Sequence, residues 1–160
     1  MLSPKILTAD ALAARRDALD RAGRRLVFTN GCFDLLHVGH VRYLQAAREA
    51  GDALAVGLNG DDSVRALKGP GRPLNTAVDR AEILAALACV DFVTVFDDPR
   101  ATDLLARVRP HVYVKGGDYT LETLHPEERA ALFNAGARIA FVPTVEGRST
   151  TRLVEAMQKS

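Results

Sequence analysis

Five short apolar runs, each rich in β-branched residues and nearly unbroken, constrain this chain more than any motif: Leu26 to Phe28, Ala53 to Leu58, Phe92 to Phe96, Val112 to Val114 and Ile139 to Val142. A strand that is apolar at consecutive positions has both faces buried, as in a parallel sheet covered by helices on both sides. Between the runs lie stretches with helical spacing: Val41, Leu44 and Arg48 in one, Ile83, Leu84 and Leu87 in another, Leu104, Leu105 and Val108 in a third. Gly51, Pro110 and Gly136 fall where helices stop.

The order reads strand, helix, strand, two helices, strand, helix, strand, helix, strand, helix. That alternation predicts a doubly wound, Rossmann-like three-layer α/β domain with a five-stranded parallel sheet. At 160 residues the chain has the size of one domain. Residues 1–24 are expected as an N-terminal helical extension, with a helix from Asp10 to Ala22 capped by Thr8 or Asp10 and stopped by Gly23; residues 25–160 are expected as the core.

Twenty-one Lys and Arg against twenty Asp and Glu give a net charge of +1, so no global field draws nucleic acid or an anionic membrane. An anionic ligand must then be held by local arrangement. The segment MLSPKILTAD lacks the long apolar run of a signal peptide, and a cytoplasmic protein is expected. Two cysteines do not make a disulfide scaffold; Cys89 is expected in the core, and Cys32 where a small apolar side chain fits.

In open α/β sheets ligands collect at the carboxyl ends of strands, near the point where strand order reverses. The chain leaving the first strand reads Phe28-Thr-Asn-Gly-Cys-Phe-Asp-Leu-Leu-His-Val-Gly-His40. No G-x-G-x-x-G follows the strand, and no Walker A sequence occurs. Instead Gly31 is followed by two histidines three residues apart at a helix start. At that spacing His37 and His40 share a face, and Gly39 lets a ligand approach the backbone between them. Free amides and the positive dipole end make the place suit a phosphate. Zinc is the competing reading, but the metalloprotease pattern spaces its histidines by four with a glutamate beside the first, and position 38 is valine. In a purely structural reading, one histidine caps the helix and the other is packed.

The segment Lys68-Gly-Pro-Gly-Arg-Pro-Leu-Asn75 has loop chemistry, since its glycines and prolines do not suit a helix interior or a central strand. Its two cations make it a candidate ligand-facing loop or a solvated connection.

The stretch Gly31-Cys-Phe-Asp-Leu-Leu-His-Val-Gly-His40 resembles the H-x-G-H signature of the cytidylyltransferase-like nucleotidyltransferases. Three further pieces fit in order: Lys68, Lys115-Gly-Gly-Asp-Tyr119 after the fourth strand, and Glu146-Gly-Arg-Ser-Thr-Thr151, which is similar to the ISTT-type motif. Within the family, the stretches around Phe28 to Asp34, Leu67 to Pro73 and Val114 to Tyr119 most resemble the heptose 1-phosphate adenylyltransferases of lipopolysaccharide core synthesis. The chain departs from the glycerol-3-phosphate cytidylyltransferases at Thr144, where they place an arginine. It departs from the ISTT pattern at Arg148, in place of isoleucine.

The resemblance implies transfer of AMP from ATP to a sugar 1-phosphate, with Mg2+ expected alongside the triphosphate and no protein ligand assigned to it. It implies His37, His40 and Lys68 as catalytic, the histidines donating to the α-phosphate and Lys68 reaching the triphosphate from the other side. The nucleotide would be held by Thr29, Asn30, Gly31, Cys32, Phe33 and Gly39, and by Lys115 and Gly117. Arg72 would help at the triphosphate. Ser149 and Thr150 would bind the β- or γ-phosphate, or serve as plain helix caps. Asp118 would take a ribose hydroxyl or the base, or be a turn residue. Asp34 would orient a histidine, bind Mg2+ or cap the helix. Arg80 matches a family position and also fits an ion pair.

The partners expected are small molecules, ATP and a sugar 1-phosphate, with neither nucleic acid nor membrane. The family analogy allows a homodimer, and the sugar kinase that such enzymes are often fused to is expected as a separate protein. Alternatives are a cytidylyltransferase acting on glycerol 3-phosphate or a related small phosphate, and a nucleotide-binding regulator without turnover. A tRNA-charging enzyme shares the H-x-G-H element, but the chain has no basic excess and no length for an anticodon-reading part.

Overall fold

The computed structural model describes residues 3–159; residues 1, 2 and 160 of the expected domain lie outside the described residues. The strands are β1 (Leu26–Gly31), β2 (Ala53–Asn59), β3 (Phe92–Phe96), β4 (Val112–Gly116) and β5 (Arg138–Val142). The helices are α1 (Ala9–Arg21), α2 (Val38–Arg48), α3 (Asp61–Lys68), α4 (Ala77–Ala86), α5 (Thr102–Val108), α6 (Pro126–Ala135) and α7 (Thr150–Gln158). All sheet pairs are parallel, in the order β3-β2-β1-β4-β5. The expected doubly wound architecture is the one observed.

The unbroken apolar runs are accounted for by two cores, one on each side of the sheet. Val27, Leu54, Val56 and Val114 pack on one face with Leu44 of α2 and Leu84 of α4. Leu26, Phe28, Ala55 and Tyr113 point to the other, with Leu12 of α1, Leu105 of α5 and Leu132 of α6. Successive residues of β1 alternate between the cores because a strand's side chains alternate by face. Each fully buried Leu or Phe contributes roughly 1.5–3 kcal/mol relative to exposure.

Thr8 caps α1 through its hydroxyl, which accepts from the Ala11 N–H, and Gly23 follows the helix at φ +68°. The N-terminal extension does more than form a helix. Ile6 bridges to Val93, the Leu7 N–H donating to the Val93 carbonyl (2.8 Å) and the Val93 N–H to the Lys5 carbonyl (2.9 Å), which covers the exposed edge of β3. One local expectation is corrected: Lys68 closes α3 instead of lying in the following loop. Ile83 lies in α4, as its spacing predicts, on the exposed side of the helix, whose buried face is Arg80, Ala81, Leu84 and Ala85. No helix among the described residues is long and apolar enough to cross a membrane.

The chain winds from β1 outward through β2 to β3, then crosses back to β4 and β5. Strand order therefore reverses between β1 and β4, and a cleft opens at their carboxyl ends.

Candidate active site

The cleft has a volume of about 820 Å3 and is bordered by the loop after β1, the starts of α2 and α7, the end of α3 and the loops after β3 and β4. β1 is followed by Cys32, Phe33 and Asp34, with Phe33 at φ +44°, a conformation uncommon for a large side chain. Two buried groups hold this turn. The Arg80 guanidinium, 1% exposed, donates from Nη1 to the carbonyls of Cys32 (2.6 Å) and Asn59 (2.9 Å), from Nε to that of Asn75 (2.9 Å), and from Nη2 to Asp61 (2.7 Å). One side chain thus ties together the ends of β1 and β2 and the approach to α4. The Asp34 carboxylate, 7% exposed, accepts from the backbone N–H groups of Leu74 (2.9 Å) and Asn75 (3.0 Å) and from Arg72 Nη1 (3.2 Å). Burial pushes its pKa up, but the Asn75 and Leu74 amides and Arg72 outweigh it and hold the group below the usual carboxylate range.

The two histidines form a reciprocal cap. His37 is the N-cap of α2, its Nδ1 accepting from the Gly39 N–H (3.1 Å), while Nδ1 of His40 accepts from the His37 N–H (3.4 Å). Their rings stack with centroids 3.9 Å apart, and Phe33 packs tilted against His40 at 5.3 Å. An Nδ1 that accepts carries no proton, so each neutral ring bears its hydrogen on Nε2. Burial, then the neighbouring His37 and Lys68 charges, lower the His40 pKa to about 4; burial and Arg148 lower that of His37. At neutral pH both rings are uncharged donors. Gly39 is tight against this arrangement: a Cβ there would lie 2.8 Å from Cε1 and Nδ1 of His37.

Five cations, Lys68, Arg72, Arg100, Lys115 and Arg148, border the cleft against two carboxylates, Asp34 and Glu128. The nearly neutral chain therefore carries a local positive field, and a polyanion is the ligand it suits. Burial lowers the Lys115 pKa, and its ammonium lies 4.8 Å above the Tyr119 ring.

Of the residues expected from the sequence, His37, His40 and Lys68 are brought to one cleft, together with Asn30, Gly31, Cys32, Phe33, Asp34, Gly39, Arg72, Lys115, Ser149 and Thr150. Four expected residues do not border it. Thr29 is fully buried, its hydroxyl 2.7 Å from that of Tyr43; Arg80 is the internal staple; Gly117 and Asp118 lie on the turn after β4, with Asp118 exposed. Others border it with their polar groups already engaged. Asp34 neither orients a histidine nor caps α2, because its oxygens are taken by the loop before α4. Thr150 donates to the Leu35 carbonyl (3.1 Å), and Ser149 caps α7 by accepting from the Arg152 N–H (3.1 Å). The Gly39 amide at the start of α2 is likewise taken by His37. Tyr43, Asn59, Arg100, His125 and Glu128 also border the cleft and are not expected there from the sequence, and neither is Arg148, expected only as a departure from a motif. Position 148 inside the last motif was a usable signal; the others become neighbours only through the fold.

A cytidylyltransferase-like family model matches residues 28–155. A bifunctional protein HldE of Geotalea uraniireducens is 54% identical over 154 residues, covering 96% of this chain and 31% of the relative. Another, from Geobacter sulfurreducens, is 51% identical over 156 residues, covering 98% and 31%. The chain thus spans about a third of the length of the curated relatives it matches. A crystal structure of a lipopolysaccharide core biosynthesis protein from Thermoplasma volcanium superposes with a TM-score of 0.63 at 23% identity, over 79% of this chain and all of that one, and shares the fold.

Proposed function

The chain belongs to the cytidylyltransferase-like family, and from that premise we propose that it transfers AMP from ATP to D-glycero-D-manno-heptose 1-phosphate, giving ADP-heptose and pyrophosphate for lipopolysaccharide core synthesis. The observation that carries the reading is the His37–His40 pair, two stacked neutral imidazoles with Nδ1 occupied and Nε2 left for a ligand, in a cleft rich in cations. The choice of ATP and heptose is supported by the motif resemblance and by relatives named HldE with which this chain shares about half of its own residues.

The nucleophile is an oxygen of the sugar phosphate, ionised at neutral pH, so no residue has to remove a proton from it. It attacks the α-phosphorus of ATP; a new P–O bond forms there as the bond to the bridging oxygen breaks, and the electron pair leaves on pyrophosphate. What the chain contributes is positioning and charge stabilisation. The histidine Nε2–H groups donate to the α-phosphate oxygens as charge gathers on them. Lys68 and Arg148, both beside the histidines, hold the β- and γ-phosphates, and Lys115 holds the attacking phosphate. Mg2+ supplies charge neutralisation on the triphosphate when bound. Among the described residues no group of three or more His, Cys, Asp or Glu side chains could hold a metal ion; Mg2+ would be carried on the substrate's phosphate oxygens.

The use of ATP favours a cytoplasmic location, and the proposal includes a sugar kinase in the pathway that makes the acceptor. The family analogy extends the proposal to a homodimer, which sedimentation of the protein tests. The reaction is tested by incubating the protein with ATP or CTP, Mg2+ and a panel of sugar phosphates and glycerol 3-phosphate, and following pyrophosphate. Release with ATP and heptose 1-phosphate is expected. Release only with CTP and glycerol 3-phosphate, or nucleotide binding without release on any acceptor, overturns the reading.

A further inference from the structure

The wall of the cleft across the sheet from the histidines contains a carboxylate that the chemistry above does not use. α2 packs on one face of the sheet through Leu44 and α6 on the other through Leu132, and α6 brings Glu128 and His125 to the same cleft. Glu128 is 8% exposed. Its Oε1 accepts from the Ala101 N–H at 3.0 Å, across the gap between α6 and the start of α5. Among the described residues no cation makes an ion pair with it. A carboxylate has roughly four acceptor positions, and a buried one without a counter-ion is costly unless hydrogen bonds satisfy it. One helical turn earlier, Nδ1 of His125 is buried without a hydrogen-bond partner.

Two under-used polar groups on one wall call for a ligand rich in hydroxyl groups. A phosphate would be repelled by Glu128. Lys115 is close enough to sense the Glu128 charge, which opposes the lowering of its pKa by burial. It also senses Cys32, in the turn that leads to the histidines. A sugar 1-phosphate laid along this line would put its phosphate on Lys115, facing the α-phosphate of ATP, and its ring against α6.

We propose that Glu128, with His125 beside it, forms the sugar subsite: the Glu128 carboxylate accepts hydrogen bonds from ring hydroxyls of the acceptor and sets which sugar phosphate is used. The proposal rests on the sugar-phosphate reading given above and adds the residues that read the sugar.

The decisive variant is Glu128→Gln. Its amide oxygen keeps the bond from Ala101, so the α5–α6 link survives, while its NH2 presents donors where the sugar needs an acceptor. The expected result is a KM for heptose 1-phosphate raised ~10- to 100-fold, with the KM for ATP and the melting temperature unchanged. A purely structural Glu128 predicts the opposite pattern: an unmoved sugar KM, or both KM values rising together. Either result overturns the subsite while leaving the reaction intact. A series of deoxy-sugar 1-phosphates on the wild-type enzyme decides the matter even if the variant fails to fold. At least one deoxy analogue should lose ~10-fold or more in kcat/KM, and uniform use of the whole series overturns the proposal. Absence of wild-type turnover removes the reaction itself, and the subsite with it.

Discussion

The His37 and His40 rings stack 3.9 Å apart because each caps the same helix end, His37 accepting from the Gly39 N–H and His40 from the His37 N–H. Stacking two imidazoles is tolerable only while both are neutral, and burial keeps them so. One set of hydrogen bonds therefore fixes rotamer, tautomer and charge together, before any substrate arrives.

That coupling makes stability depend on pH in a defined window. His40 titrates near 6.5 in the unfolded chain and at about 4 when folded, so between those values the unfolded state binds more protons. Stability from this group is fully present above pH 6.5 and is lost as pH falls toward 4. Urea midpoints measured across this range should show the loss, and His40→Asn should reduce it, leaving the smaller dependence of the same sign that His37 contributes. In the wild type, the His40 ring resonances should titrate near pH 4.

Chemistry and capping separate at position 37. Asparagine is a good N-cap but has no donor where Nε2 stands. His37→Asn should keep the melting temperature within a few degrees of wild type and reduce kcat by ~10²–10³. His37→Ala should lose the same activity and, in addition, about 1 kcal/mol of stability. Equal kcat in His37→Asn and wild type would remove the ring from catalysis.

The sheet and the histidine site were legible in the sequence because both are local patterns: unbroken apolar runs for strands buried on two faces, and two histidines at i and i+3 around a glycine. Asp34 is not placed correctly from the sequence, and Arg80 is left open there between a ligand contact and the ion pair it makes with Asp61, because their main partners lie far away in the chain. Arg80 reaches back 48 residues to Cys32, and Asp34 reaches forward 40 to Leu74. A charged side chain in a ligand-lined region reads as ligand-facing until the fold shows backbone groups consuming it. Glu128 escaped for the same reason, its partner being the amide of Ala101.

Asp34 predicts a local unlatching. Asp34→Ala leaves the Leu74 and Asn75 amides and Arg72 without their acceptor and should cost ~2–4 kcal/mol. Hydrogen exchange should accelerate at Leu74 and Asn75 first. The wild-type contribution has the opposite pH sense to a rise in pKa: with the folded value depressed, it is present above the unfolded value of 3.8 and lost as pH falls through the folded one.

Arg80 should be the most sensitive polar position outside the chemistry. Arg80→Met strips the carbonyls of Cys32, Asn59 and Asn75 of a donor and should cost ~3–5 kcal/mol, read as a lowered melting temperature. Arg80→Lys should recover little, since a single ammonium cannot span acceptors that the planar guanidinium meets from three nitrogens.

Gly39 sets two physical effects against each other. It lies in the first turn of α2, where replacing glycine by alanine favours the helix by at most the roughly 1 kcal/mol of an interior position. Here the new Cβ would stand 2.8 Å from the His37 ring and 3.2 Å from Cβ of Arg148, so the ring must leave its cap. The ring is flexible at its tip but pinned by the His40 stack, and the propensity gain is offset by the lost cap. Gly39→Ala should melt within ~1 kcal/mol of wild type, with kcat down ~10²-fold or more because the His37 donor is displaced. Paired melting and turnover measurements check this, and an active, more stable Gly39→Ala protein would show that the His37 position does not matter to the chemistry.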